Sequence, residues 1–253
     1  MNQRTTEFFL TASEVNAQLR MPLSSLVAAI IESATGHANV IGVGYNDMMK
    51  TNSSWVLSRL AIDIAEMPRL NGTYELTTWI TGINRLFSDR CFAIVDKADG
   101  RTVVAAHSVW MAIDMDTRRP ADLTALNRMT DRISDRPAPC DAPGVIRPFS
   151  CAEADCSYDY TVGVSDIDVN RHLTTRRYID LIVDLQDLGF YDGHRLTRFE
   201  IAFKKETRYD EKVVVARRTT SPEGEEDEYV AMIAADDAPH TLARLRFEKE
   251  NIN

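Results

Sequence analysis

From Val164 to Tyr178 the chain reads Val-Ser-Asp-Ile-Asp-Val-Asn-Arg-His-Leu-Thr-Thr-Arg-Arg-Tyr, with Asp168, Asn170 and His172 at alternate positions. If this run is extended, residues two apart point the same way. The carboxylate, amide and imidazole then share one side, and Ile167 and Val169 take the other, which can be buried. Such a set can accept a proton from water and orient a polar carbonyl. Asp or Asn ahead of a helix more often caps it or forms a turn, and a lone His is more often structural. Three such residues at alternate positions argue for a site, although spacing alone does not name a reaction.

A helix must follow. Tyr178, Leu181, Ile182, Leu185 and Leu188 recur at i, i+3, i+4, i+7 spacing, which predicts an amphipathic helix over 174–188. Thr174 or Thr175 can cap its start and Gly189 can end it. Its free N–H groups and dipole favour negative charge, so the three polar residues would lie where an oxyanion can be stabilised.

The run from Asp166 to His172, with Tyr178 close behind, resembles the catalytic signature of acyl-acyl carrier protein thioesterases. That signature usually continues with Val-Asn-Asn, where this chain has Leu173-Thr174-Thr175. Similar residues stand elsewhere in the same order: Trp55-Val56-Leu57-Ser58-Arg59, Thr78-Trp79, Arg90, Ser108-Val109-Trp110 and Thr117-Arg118-Arg119. The resemblance implies two hotdog domains in tandem. The C-terminal one would be catalytic and the N-terminal one would house the acyl chain, with Trp55, Trp79 and Trp110 as candidates to line that cavity.

It also implies a second acid on a strand after the helix. In Phe203-Lys204-Lys205-Glu206-Thr207 that position is Glu206, and the one sometimes proposed as a catalytic cysteine is Thr207. A Cys-His-Asn triad is therefore unavailable there. The implied reaction is hydrolysis of an acyl thioester by activated water, without an acyl-enzyme, cofactor or metal. Asp168 and Glu206 would polarise or deprotonate water, while Asn170 and His172 would orient water and the thioester carbonyl. Which carboxylate is the base stays open. Simple alternation puts Phe199, Ile201 and Phe203 on one face and Glu200, Lys204 and Glu206 on the other, so Glu206 needs a twist or bulge to reach the site.

Composition sets outer limits. With 253 residues and 44% hydrophobic content, the chain can bury the core of one large or two small domains. No apolar run is long enough for a transmembrane helix. Residues 1–10 contain Arg4 and Glu7 and lack the apolar block of a signal peptide, so a cytoplasmic location is expected. Cys91, Cys140, Cys151 and Cys156 form no Cys-x-x-Cys pair and are expected as free thiols. The net charge of −9 argues against nucleic-acid binding. It also repels an acidic carrier protein, so docking requires a local basic patch; Arg176, Arg177, Lys204, Lys205 and Arg208 are the candidates. Acyl-CoA hydrolysis is the alternative for a chain without that patch, and a non-catalytic acyl-thioester binding protein is a third reading.

In chain order, a strand is expected in 5–15 and a helix after Pro22, through Leu23, Leu26, Val27, Ile30, Ile31 and Ala34, broken by glycines 36, 42 and 44. His37 falls near that helix's end, where an imidazolium would suit the dipole, although structural placement is the commoner use. Strands follow at 55–64, 73–83, 90–96 and 103–114, with a turn at Asp99-Gly100. Prolines 120, 137, 139, 143 and 148 then interrupt the pattern, and 123–129 suits a short helix. The second half reads strand (155–163), helix, and strands at 199–206, 212–217, 229–234 and 241–247, with an acidic hairpin loop at 221–228. Both halves share one element order. We therefore expect an α+β chain of two tandem hotdog domains, each a central helix wrapped by an antiparallel β-sheet: 1–136, a linker at 137–154, and 155–253. The tandem supplies the two-unit arrangement that single hotdogs reach by pairing, and a homodimer of tandems is compatible with it.

Overall fold

The computed structural model describes residues 2–123, 131–220 and 226–250. Two compact units emerge. One holds Met1–Val15, Leu19–Met21 and Ala29–Pro143; the other holds Asn16–Gln18, Pro22–Ala28 and Gly144–Asn253.

In the first unit, β-branched and aromatic runs form β1 (Gln3–Phe9), β2 (Ser53–Ile64), β3 (Thr73–Ile83), β4 (Phe87–Asp96) and β5 (Thr102–Asp114). They pair antiparallel in the order β1-β3-β4-β5-β2. Helix α1 (Leu23–Val40), whose residues up to Ala28 group with the second unit, buries Leu23, Leu26, Val27, Ile30 and Ala34 of the stripe its spacing predicts, with Ile31 half-buried. Gly36 does not break it. An added Cβ there would meet the Arg4 guanidinium at 2.7 Å, so this glycine provides space for a crossing side chain. The helix stops before Gly42, whose φ of +77° suits glycine, and a short α2 (Tyr45–Met49) follows. His37 is fully buried and accepts a hydrogen bond from Arg90 Nη1 at 2.8 Å through Nδ1, so it is no imidazolium. Burial holds the Arg90 guanidinium down to about 10.

The second unit repeats the plan with β6 (Cys156–Thr161), α3 (Thr175–Val183), α4 (Leu188–Gly193), β7 (His194–Phe203), β8 (Lys212–Thr219), β9 (Glu226–Ala235) and β10 (Ala238–Lys249). Its strands pair antiparallel in the order β7-β10-β9-β8-β6. Helix α3 packs on β8 and β9 and buries Tyr178, Ile179, Leu181 and Ile182. It ends at Val183, not Leu188. Leu188 is exposed, and Gly189 lies inside α4 instead of closing α3.

The proline-rich connection is not a free linker throughout. Ile146 and Phe149 are buried with Ala216, Val230, Met232, Ala234 and Leu242 in the second unit's core. Gly144 N–H donates to Glu200 Oε1 at 2.9 Å. Proline prevents ladder pairing without preventing side-chain burial. The short helix expected at 123–129 lies largely outside the described residues, as does most of the acidic loop at 221–228. No helix among the described residues is long and apolar enough to cross a membrane.

Candidate active site

Residues 164–172 are not an extended strand. A single 3-10 turn (Val164–Asp166) leads into a tight loop closed by a bridge between Ile167 and Leu173. Asp168 builds this loop. Its Oδ1 accepts the N–H groups of Asn170 at 2.8 Å and His172 at 3.1 Å, and its own N–H donates to His172 O at 2.9 Å. Arg171 takes the left-handed conformation that closes the turn, with φ 64°. The side chain of an Asp satisfying backbone N–H groups ahead of it outcompetes extension here. Two expectations therefore change. Asn170 is exposed instead of facing inward with Asp168 and His172, and Val169 is 96% exposed at the loop tip instead of buried.

The ends of the loop are held by buried polar groups. Asp166 is buried, accepts from Tyr160 Oη and Gly163 N–H at 2.7 Å each, and pairs with Arg177 Nε at 3.2 Å. Its carbonyl accepts the Thr174 N–H at 2.8 Å. Thr174 is the N-cap of α3, its side chain accepting from Arg177 N–H. The loop thus runs directly into the helix start, as the spacing predicts.

Glu206 joins the site from the segment that follows β7. It lies beyond the end of β7, so strand alternation does not govern its direction and no bulge is needed. Leu173 N–H donates to Thr207 O at 2.8 Å, and His172 bridges Arg208. That short ladder brings Glu206 Oε2 to 3.0 Å from His172 Nε2. The His172 side chain is 19% exposed and that of Glu206 37%, so both are open to solvent. Asp168, His172 and Glu206 form a continuous chain of contacts: Asp168 holds the His172 backbone, and the His172 ring meets Glu206.

The other candidates divide. Arg177 is committed to Asp166 and Tyr160, which removes it from the surface set. Arg176, Lys204, Lys205 and Arg208 are exposed. Arg176 Nη2 donates to Ser25 Oγ at 2.9 Å, and Lys205 Nζ lies 3.9 Å from Glu211 Oε1. Trp79 is fully buried, donates to Arg136 O at 3.1 Å and carries the Arg136 guanidinium over its ring at 3.9 Å. It packs with Cys91 and Ala93, on the opposite side of β3 from Thr78 and Ile80. Trp55 is part-buried, packs beside Val43 and Ile80 and donates to Val43 O at 2.9 Å. Trp110 donates to Ser108 Oγ at 2.8 Å.

Sequence reasoning missed two groups next to the site: the Tyr160–Asp166–Arg177 cluster, and a buried Tyr178–Thr207–His240 network. Tyr178 stood in the signature. His240, a lone histidine 34 residues beyond Glu206, gave no local signal.

Fold and site together define a tandem hotdog protein with an acid–imidazole centre in its second unit. The chain belongs to the acyl-ACP thioesterase family. Residues 2–127 match the acyl-ACP thioesterase N-terminal domain, and residues 150–249 match the C-terminal domain. An acyl-ACP thioesterase from Bacteroides thetaiotaomicron is 30% identical, with a TM-score of 0.85 over 97% of this chain and 98% of that one. The fold is shared with the 12:0-ACP thioesterase of Umbellularia californica, at 17% identity and a TM-score of 0.89 over 98% of this chain and 94% of that one. A chloroplastic palmitoyl-acyl carrier protein thioesterase of Gossypium hirsutum is 24% identical over 80% of this chain and 52% of its own length. The chain spans about half the length of such curated plant relatives.

Proposed function

We propose that the second unit hydrolyses the thioester of an acyl-acyl carrier protein, releasing fatty acid and the carrier thiol by attack of activated water. The observation that carries this reading is the 3.0 Å contact between His172 Nε2 and Glu206 Oε2, within reach of solvent and beside the start of α3. A carboxylate or the imidazole it polarises takes a proton from water, and the resulting hydroxide adds to the thioester carbonyl. The tetrahedral oxyanion is stabilised by N–H groups at the α3 N-terminus. The C–S bond then breaks, and the departing thiolate receives the proton. Asp168 keeps the loop shaped so that the His172 ring faces Glu206. No cofactor is required for these steps. The N-terminal unit houses the acyl chain.

Charge supports a carrier protein as the donor. The chain as a whole is −9, yet Arg171, Lys204, Lys205 and Arg208 are exposed on the two turns joined by the His172–Arg208 bridge. Exposed Val169 and Tyr209 sit among them. An acidic carrier helix would meet a basic, partly apolar rim there. The deciding experiment is a thiol-release assay on acyl-carrier-protein and acyl-CoA thioesters over a panel of chain lengths. Release from the carrier substrate with higher kcat/KM than from CoA is expected. Preference for CoA would reassign the donor, and binding without release would make the protein an acyl-thioester binder.

A further inference from the structure

The residue directly after Glu206 is a fully buried hydroxyl. Thr207 Oγ1 accepts from Tyr178 Oη at 2.7 Å and lies 2.7 Å from His240 Nδ1. Tyr178 Oη in turn accepts the Thr207 N–H at 3.0 Å. Oγ1 has one proton and two lone pairs, so it can accept from Tyr178 and still hydrogen-bond with His240 Nδ1. Burial also keeps the His240 imidazole below its ordinary value. Glu211 Oε1 lies 3.7 Å from His240 Nε2.

A hydroxyl, an imidazole and a carboxylate in line match the parts of a nucleophilic triad. Here both Thr207 and His240 are 0% exposed, so no substrate carbonyl can approach Oγ1. What the network does reach is the backbone around Glu206. The N–H groups of Lys204 and Lys205 both donate to His240 O, at 2.8 and 3.1 Å, and Leu173 N–H donates to Thr207 O at 2.8 Å. Both chain neighbours of Glu206 are thus fixed, to β10 on one side and to α3 and the His172 loop on the other.

We propose that Thr207 is a positioning residue for Glu206: held by Tyr178 and His240, it sets the backbone that keeps the Glu206 carboxylate against His172. The proposal rests on the reading of Glu206 and His172 as the hydrolytic pair. Loss of the hydroxyl lets the acid drift, and misplacement of a reacting group by about 1 Å can cost ~10²-fold in rate.

The test uses thiol release from acyl-carrier protein by the full chain. Thr207→Val keeps the side-chain shape and removes the acceptor of the Tyr178 hydroxyl proton and the partner of His240 Nδ1, while Tyr178 Oη still accepts the residue 207 N–H. We expect kcat to fall about 10²-fold, with KM unchanged. Thr207→Ser should restore kcat. In a Glu206→Ala background, Thr207→Val should add no further loss, because its effect passes through that carboxylate. If Thr207→Val does not fold by circular dichroism, Tyr178→Phe, which removes one oxygen, carries the same comparison. Wild-type kcat in the hydroxyl-deleted variants, or a full additional loss on top of Glu206→Ala, overturns the proposal. Glu206→Ala alone reports on the underlying reading: if that variant keeps wild-type kcat, the site assignment falls and the positioning role falls with it.

Discussion

Asp168, His172 and Glu206 differ in what each can lose. The Glu206 carboxylate makes a 3.0 Å contact with the His172 ring and is partly open to water, so Glu206→Ala removes the proposed acid–base group. We expect kcat to drop by about 10²–10⁴-fold with an unchanged melting temperature, measured by thiol release and thermal denaturation. His172→Ala should match it, and the two losses should not add, since the groups act as a unit. Asp168→Asn is subtler. Its carbonyl oxygen still accepts the N–H groups of Asn170 and His172, so the turn survives while the charge goes. Retained folding with lost activity would place the Asp168 charge in the chemistry; retained activity would reduce Asp168 to a turn former.

Among elements, α3 bears most directly on how the site is held, and the connection at 144–154 on how the second unit is held. Thr174 caps α3 at the point where the loop enters it. Thr174→Ala should cost about 1 kcal/mol by urea unfolding, and Thr174→Asn nearly nothing. The connection is fixed by Glu200, a buried carboxylate that accepts from Gly144 N–H and pairs with Arg198 at 3.0 Å and Arg244 at 2.9 Å. Glu200→Ala removes one carboxylate partner from each of two arginines and should cost about 3 kcal/mol. Glu200→Gln should cost less, because it keeps an acceptor for Gly144. A loss of stability with unchanged kcat in the surviving folded protein would separate this anchor from the active site.

For the whole molecule, both acid-side titrations point the same way. Burial pushes the Glu200 carboxyl up, but Gly144 N–H, Arg198 and Arg244 together outweigh it and hold it below its ordinary 4.5. Its stabilisation is present above pH 4.5 and is lost as pH falls through the folded value. Burial, with Lys205 adding to it and Glu211 opposing, holds His240 below 6.5. The unfolded chain therefore takes up a proton near 6.5 that the folded one resists, so stability falls on acidification below that point. The urea midpoint should decline from pH 7 to 5.5, and His240→Gln should flatten that decline whatever its midpoint at pH 7. The overall charge of −9 supplies a separate test. Lys204→Glu with Lys205→Glu should raise KM for acyl-carrier protein and leave acyl-CoA turnover alone, with the wild-type preference weakening as salt rises. Equal effects on both donors would remove these lysines from the docking surface.

The residues themselves explain how much could be read in advance. Strand and helix positions rest on periodicity within a few neighbours, so β3 (Thr73–Ile83) and the α1 stripe were legible. Asp168 and His172 were legible as candidates from their composition, yet the loop's shape was not. Alternation assumed extension, whereas Asp168 spends its carboxylate on two backbone N–H groups and turns Val169 outward. A strand tryptophan carries no mark of which face it uses, so nothing local announced that Arg136, 57 residues away, covers Trp79. What the chain's order of residues determined alone was local: element sequence, a helix start capped by Thr174 or Thr175, and which side chains could handle a proton. The meeting of His172 with Glu206 and the sealing of Thr207 between Tyr178 and His240 belong to the tertiary structure. Those contacts depend on the register between a loop, a helix and two strands, and hydrogen bonds between segments dozens of residues apart set that register.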